Sequence, residues 1–337
     1  MFHQLPAQKN PWHLIWKYVA GLLALLVVVF LLGPVNEFGP DAPAPRAPAP
    51  VALNELDAWL ASSEAPFKDL RPGTAKGIVW AGNEKKRTPW SVVYIHGFSA
   101  TRMETAPLAD EIAKALGANL FYTRLSGHGL PGAAMGRATT QEWLADTLEA
   151  VRIGESLGEK VLVISCSTGS TLSTWLGTSP EAAKVSAHVF ISPNFGLKNK
   201  LSELVNGHWG HQIAFAVTGD TISYTTTDPR ESVAWTTSYP TQAIFPMLAL
   251  VKKVRDSDLS AFNTPVLVLY SAADQTVDPQ QIKQVFARLG SKQKTIEPVI
   301  YSQSLGQHVL AGNIRDPQAV QPMAKFVTDW IHPLTSP

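Results

Sequence analysis

Along residues 77–301, short runs of consecutive apolar, mostly β-branched residues alternate with longer stretches whose apolar positions recur every three or four residues. The runs predict strands over 77–81, 91–95, 119–124, 161–165, 188–192, 265–270 and 295–301. Continuous apolar strands, rather than alternating ones, mark a sheet buried on both faces. The intervening stretches read as helices. The clearest covers 141–157, with Thr139 and Glu142 spaced as a capping box and Gly158 after it. Another covers 280–289, where Asp278 and Pro279 suit the cap and the first turn. A third covers 317–330, and Leu53, Leu56, Trp59 and Leu60 share one face of a short opening helix. Strands alternating with helices imply an α/β fold, a mostly parallel sheet with helices on both faces.

Two stretches break the rhythm. Between the strands near 192 and 265 lie about seventy residues, more than a strand-helix-strand connection needs. This predicts a cap insertion at about 195–262. Its aromatic residues, Trp209, Phe215, Tyr224, Trp235, Tyr239 and Phe245, suit either the roof of an apolar pocket or the cap's own core. Trp209 and Trp235 are taken as candidate substrate contacts. The second break is N-terminal. Residues 14–33 are apolar except for Lys17, and twenty helical residues span roughly 30 Å, the thickness of a bilayer core. Trp12, Trp16 and Tyr18 could form an interfacial belt. A cleaved signal peptide is the rival reading, although no small-x-small site follows directly. Residues 34–51 are rich in Pro and Ala and read as a semi-rigid polyproline II spacer. The resulting division is a tail over 1–13, an anchor over 14–33, a spacer over 34–51 and a catalytic domain over 52–337. Lys9, Lys17 and the amino terminus precede the span and only Arg46 closely follows it. That bias predicts a single-pass membrane protein with a cytoplasmic tail and an extracytoplasmic domain, periplasmic in a bacterium.

Candidate chemistry sits at strand ends. The 161–165 run drives into Ser165-Cys166-Ser167-Thr168-Gly169, a small-x-Ser-x-Gly turn that opens a helix and lifts the Ser167 hydroxyl above the sheet edge. Asp274 closes the loop after 265–270, and His308 lies in the loop after 295–301. Ser167, Asp274 and His308 are therefore the candidate nucleophile, acid and base. The strand ending in Ile95-His96-Gly97-Phe98 supplies a second loop. Backbone N–H groups of Phe98 and Thr168 are the candidate oxyanion donors. His96, and His128 in Gly127-His128-Gly129, are assigned structural roles. His208 and His211 have a spacing that can suit a metal, but no third ligand supports one, so no metal or cofactor is expected.

On the residues Ile95-His-Gly-Phe98, Gly127-His-Gly129, Ser165-Cys-Ser-Thr-Gly169, Asp274 with Asp278, and His308, the chain over about 53–332 resembles the α/β-hydrolase superfamily. Within it, the resemblance is to the carboxylesterase and monoacylglycerol-lipase-like branch. The resemblance implies hydrolysis of acyl esters or lipids through an acyl-enzyme, with the roles above. Ser165 departs from the glycine usual at that position. A peptidase or acyltransferase on the same triad, or a non-catalytic module retaining the fold, are the rival readings.

Charge and cysteine content add little. With 28 Lys and Arg against 27 Asp and Glu, the net charge is +1 and no basic run appears, which argues against nucleic acid as a partner. The single cysteine, Cys166, cannot form an intrachain disulfide. Oligomeric state is not legible from the sequence.

Overall fold

A computed structural model describes residues 12–46, 49, 52–226 and 228–335. Most of the expected N-terminal tail, including Lys9, lies outside them. In chain order the helices are α1 (Trp12–Leu31), α2 (Leu53–Glu64), α3 (Leu108–Ala115), α4 (Thr140–Leu157), α5 (Thr168–Thr178), α6 (Gly210–Thr218), α7 (Pro229–Ala234), α8 (Ile244–Asp256), α9 (Pro279–Arg288) and α10 (Val320–Thr335). The strands are β1 (Gly77–Val79), β2 (Thr88–Ile95), β3 (Asn119–Tyr122), β4 (Gly158–Cys166), β5 (Ala187–Ile191), β6 (Thr221–Ser223), β7 (Ser238–Pro240), β8 (Val266–Tyr270) and β9 (Lys294–Pro298).

Seven strands form one sheet in the order β1-β3-β2-β4-β5-β8-β9, and β6 and β7 form a separate antiparallel pair. Within the large sheet only β1 runs antiparallel, against β3. Every strand predicted from the apolar runs is present. Along the central strands alternate residues feed two cores. Val93, Val163, Phe190 and Val268 pack with α4, α5, α8 and α9, while Val92, Leu162, Val189 and Leu267 pack with α3 and α10. These side chains are almost wholly shielded, each contributing about 1.5–3 kcal/mol of apolar burial. The resulting frame is rigid, and it fixes where the strand ends point.

Local signals explain the boundaries. Thr139 and Glu142 form the expected capping box at the start of α4. Gly158 ends α4 but already lies in β4, and a β-carbon there would sit 2.4 Å from the Ser91 nitrogen. Glycine is required by that close approach, not by a left-handed helix cap. Asp278 caps α9 through the Gln280 N–H, with Pro279 in the first turn.

Between β5 and β8 the chain forms a helical stretch over 200–206, then α6, β6, α7, β7 and α8, with α7 in the connection between the paired strands β6 and β7. Phe245, Leu248, Leu250 and Val254 of α8 belong to the main core, so this last segment is part of the helical layer as well as the end of the insertion. N-terminally, α1 is 20 residues long, and every large apolar side chain recorded on it is exposed. It is the one helix among the described residues long and apolar enough to cross a membrane, a property a signal sequence shares.

Residues 34–46 do not stand free. The Gln141 side chain donates to the carbonyls of Phe38 and Pro40, and Ala44 N–H donates to the Gln141 carbonyl. Asp41 accepts from the Trp175 indole and pairs with Lys253. Arg46 pairs with the nearly buried Asp146 and donates to Ser126 Oγ at 2.8 Å. Proline density predicts an extended segment; side-chain partners at four positions turn it into a strap along α4, α5 and α8.

Candidate active site

Ser167 stands between β4 and α5 at φ 52°, ψ −119°, a conformation rarely adopted by a residue with a side chain. The turn is held by Ser167 N–H donating to the Ile191 carbonyl at 2.9 Å, and by the Ser167 carbonyl accepting from Ser170 and Asn194. Close packing explains the motif. A β-carbon at Gly169 would lie 2.2 Å from the Ile95 carbonyl oxygen, so only glycine lets α5 pass that close to β2. Ser165 is fully buried and its hydroxyl bonds to Ser170 Oγ at 3.1 Å, so the extra oxygen has a place.

The loops after β8 and β9 bring the other two groups to Ser167. His308 Nε2 lies 3.0 Å from Ser167 Oγ, and His308 Nδ1 lies 2.8 Å from Asp274 Oδ2. Asp274 is buried, and its other oxygen accepts from the N–H groups of Thr276 (2.7 Å) and Val277 (2.9 Å). With Asp274 accepting at Nδ1, the imidazole carries its proton there and presents a lone pair to the serine hydroxyl. Three residues separated by 107 and 34 positions thus form one relay.

Phe98 and Thr168 both line the cavity beside Ser167. Thr168 opens α5, where first-turn N–H groups have no acceptor within the helix. The loop bearing Phe98 is so near the turn that a β-carbon at Gly97 would touch Ser167 Cβ at 3.0 Å. Two sealed histidines shape this loop. His96 Nε2 accepts from Leu125 N–H while Nδ1 donates to the Gly97 carbonyl. His128 Nε2 accepts from Ser99 N–H while Nδ1 donates to the Ser126 carbonyl. Burial holds both neutral, driving His128 down to about 4 and His96 well below its ordinary range.

A cavity of about 510 Å³ opens over the relay. Its walls are largely apolar, with Leu197, Ile222, Tyr224, Trp235, Tyr239 and Met247 among them. The cap aromatics therefore divide. Tyr224, Trp235 and Tyr239 face the cavity, whereas Phe215 and Phe245 pack on each other and on His211. Trp209, read from sequence as a substrate contact, lies elsewhere. Its indole packs on Gly33 and donates to the Phe30 carbonyl at 3.1 Å, because its left-handed backbone at the start of α6 turns it toward the end of α1. His208 and His211 bond to the Gly33 carbonyl and the Asn36 side chain. Among the described residues no group of three or more His, Cys, Asp or Glu is placed to hold a metal.

One lining residue carries no sequence signal. Glu104 is buried, with Oε1 accepting from Gly97 N–H at 2.7 Å and from the Tyr94 hydroxyl at 3.0 Å. Burial raises its carboxyl to about 7. It lies in the turns between β2 and α3, where nothing periodic or motif-like in the sequence marks it.

Comparison with known proteins agrees with this architecture. Residues 86–302, more than half of the chain, match the family described as serine aminopeptidase, S33. A thermostable monoacylglycerol lipase of Bacillus sp. (strain H-257) is 34% identical over 88 residues, covering 26% of this chain and 35% of that protein. The chain thus spans about a third of that relative's length. Among solved structures, one of the metagenome-derived lipolytic enzymes LipS and LipT superposes with a TM-score of 0.59 at 18% identity, covering 78% of this chain and 99% of the other. The monoacylglycerol lipase of Paleococcus ferrophilus gives 0.56 at 17% identity, covering 77% and 98%. A soluble variant of monoglyceride lipase from Saccharomyces cerevisiae gives 0.58 at 13% identity, covering 78% and 92%. The chain belongs to the family described as serine aminopeptidase, S33, of the α/β-hydrolases.

Proposed function

We propose that the protein is a membrane-anchored serine esterase that cleaves carboxylic esters of lipid-like acyl chains. The observation that carries this reading is the unbroken relay from Asp274 through His308 to Ser167 beneath an apolar cavity. His308 takes the Ser167 proton as the hydroxyl attacks the ester carbonyl. Asp274 fixes the imidazole and stabilises its cation. The N–H groups of Phe98 and Thr168 receive the developing oxyanion. His308 then gives the proton taken from Ser167 to the departing alcohol oxygen, and, neutral again, takes a proton from a water that attacks the acyl-enzyme and returns it to Ser167 as the acid leaves.

An ester is favoured over a peptide with a free amino end. Recognising an ammonium group needs an available carboxylate, and the acidic groups near this cavity are engaged. Glu104 accepts from Gly97 and Tyr94, and Glu231 pairs with Arg315 at 2.9 Å. The lipolytic names carried by the Bacillus and Paleococcus proteins point the same way. In this reading α1 is a retained single-pass anchor, residues 52–337 form the hydrolase domain with its cap at about 195–262, and the domain lies on the extracytoplasmic side. Arg46, the nearest basic residue after the span in sequence, pairs with Asp146, and the basic sequence flank is on the Lys17 side.

Fluorophosphonate labelling of the full chain in detergent tests the chemistry. Wild type is expected to label at Ser167, and Ser167→Ala is expected to stay folded, lose labelling and lose about four or more orders of magnitude in ester turnover. Labelling that persists in Ser167→Ala overturns the assignment.

A further inference from the structure

The last carbonyls of a helix lack partners within it, and the insertion reaches one of these at the end of α1 and two carbonyls just beyond it. Trp209 Nε1 donates to the Phe30 carbonyl, Trp209 N–H donates to the Pro34 carbonyl at 2.8 Å, and His208 bonds to the Gly33 carbonyl at 3.0 Å. Asn36 completes the junction. It donates to the Asn206 side chain and the Phe245 carbonyl, and its oxygen lies 2.9 Å from His211 Nε2. Trp209 therefore sits within one turn of the end of α1. If α1 spans a bilayer, that is the depth of the headgroups, where an indole with one polar end is favoured.

The surface that continues from Trp209 is apolar and exposed. Leu201 and Leu204 are three apart in the 200–206 stretch, a 3-10 helix of three residues per turn, so they point the same way. They are 67% and 50% exposed. Along α6, Ile213 and Val217 follow Trp209 at four-residue intervals on one face, and Val217 is 75% exposed. Lys198, exposed, precedes this patch, as suits a boundary with phosphate headgroups, while the neighbouring Lys200 pairs with Asp278. The patch also adjoins the cavity mouth. Lys198 N–H donates to the carbonyl of Thr276, Gln275 N–H donates to that of Gly306, and Leu197, Thr276 and Gly306 line the cavity.

We infer that Leu201, Leu204, Trp209, Ile213 and Val217 form a face that lies in the headgroup and upper acyl region of the phospholipid bilayer spanned by α1. This rests on the reading of α1 as an anchor and deepens it. The hydrogen-bonded junction removes the freedom a loose tether would leave, so the anchor orients the insertion as well as confining it. An amphiphilic ester can then reach the cavity from the bilayer without crossing bulk water.

The test uses the full chain reconstituted in dioleoylphosphatidylcholine vesicles. Single cysteines at Leu204→Cys and Val217→Cys are labelled with nitrobenzoxadiazole, Cys166 being buried, and Lys325→Cys on α10 serves as the exposed control. Labels at 204 and 217 are expected to shift to the blue and to be quenched by doxyl lipids at least about fivefold more than at 325. Equal quenching at all three positions, with the protein retained after a carbonate wash, overturns the inference and leaves the anchor reading standing. Release by carbonate overturns both. Independently, the double variant Leu201→Asp, Leu204→Asp is expected to lose at least about fivefold on monoolein presented in vesicles while keeping p-nitrophenyl acetate turnover within about twofold. Equal loss on both substrates overturns the inference.

Discussion

The sheet edge and the insertion above it are held by different means. At the edge, Ser167, Asp274 and His308 emerge from the ends of β4, β8 and β9, strands whose side chains are sealed in two cores. Their positions follow from backbone pairing and close packing, as the 2.2 Å constraint at Gly169 illustrates. The insertion is anchored to the body through α8 and through Arg71 and Thr101, and its outer part is tied in addition to the N-terminal segment, where His208, Trp209 and His211 meet Gly33, Phe30 and Asn36. The difference teaches that strand ends fix the candidate trio from within, while the insertion depends also on contacts with the N-terminal segment. Damage to the edge should therefore reduce turnover of every ester, whereas damage to the strap should alter stability and access.

Among variants that leave the candidate trio itself intact, the largest effect should come from bulk at the edge. Ser165 has no exposed surface, and valine there adds a branched methyl group between β4 and the start of α5. A displacement of the nucleophile by about 1 Å costs on the order of a hundredfold in rate. Ser165→Val is expected to lose that much on all esters, with circular dichroism unchanged. Ser165→Gly should stay within a few-fold of wild type, since Ser170 Oγ still donates to the backbone carbonyl of residue 165. A fully active valine variant would show that the edge is not the rigid half of the comparison.

The strap comes next. Removing the Arg46 side chain leaves Asp146 nearly buried without its cation; Asp146 also accepts from Ser126 N–H at 2.7 Å. Breaking a buried pair costs about 3–5 kcal/mol, and the partial exposure of Arg46 argues for the lower end or below. Arg46→Ala is thus expected to lower the melting temperature clearly. Through Ser126, His128 and Ser99 it should also loosen the loop bearing Phe98, reducing turnover a few-fold. An unchanged melting temperature would show the strap to be loosely laid.

These two regions also differ in how far the sequence reveals them. The strands, the capping box at Thr139 and the candidate trio at 167, 274 and 308 were legible because burial imposes runs of apolar residues, and chemistry sits where the runs stop. The strap was not. Asn36, Asp41 and Arg46 are isolated polar residues in a proline-rich stretch, and their side-chain partners lie 80 or more positions away. Composition suggests an extended segment there, and says nothing of what it lies against. Trp209 was drawn to the wrong surface for the same reason: aromatic content marks the insertion as needing burial, and which side each ring faces depends on the backbone turn at residue 209. Glu104 had no signal, since a buried carboxylate bonded to a backbone N–H leaves no periodic trace.

The two tryptophans separate roof from junction. Trp235 lines the cavity and stacks under Arg315, so Trp235→Ala should shift preference among short and long p-nitrophenyl esters by about tenfold, the scale of one or two methylene contacts. Trp209→Ala should leave that ratio unchanged in detergent, because its indole meets α1 and not the acyl chain. A matching shift in both variants would erase the division between the two sets of aromatics.

The smallest effect probes the sheet itself. His188 lies in β5, fully buried against Phe190 and Phe262, and neither ring nitrogen has a hydrogen-bond partner among the described residues. Burial drives its pKa down from 6.5 to about 3. The sign follows from the folded value lying below the unfolded one: the folded state excludes a proton that the unfolded chain accepts. Stability is then full above about 6.5 and falls as pH drops toward 3. Leucine is close in volume and brings no polar atom, so His188→Leu should be neutral or slightly stabilising at pH 8. Between pH 6 and 4 its advantage over wild type in urea unfolding is expected to grow steadily, with ester turnover at neutral pH unaltered because the relay draws nothing from this ring. A difference between the two proteins that stays constant across that range would mean that the imidazole reaches water or a partner in the folded state, and that the sheet is less sealed than its packing implies.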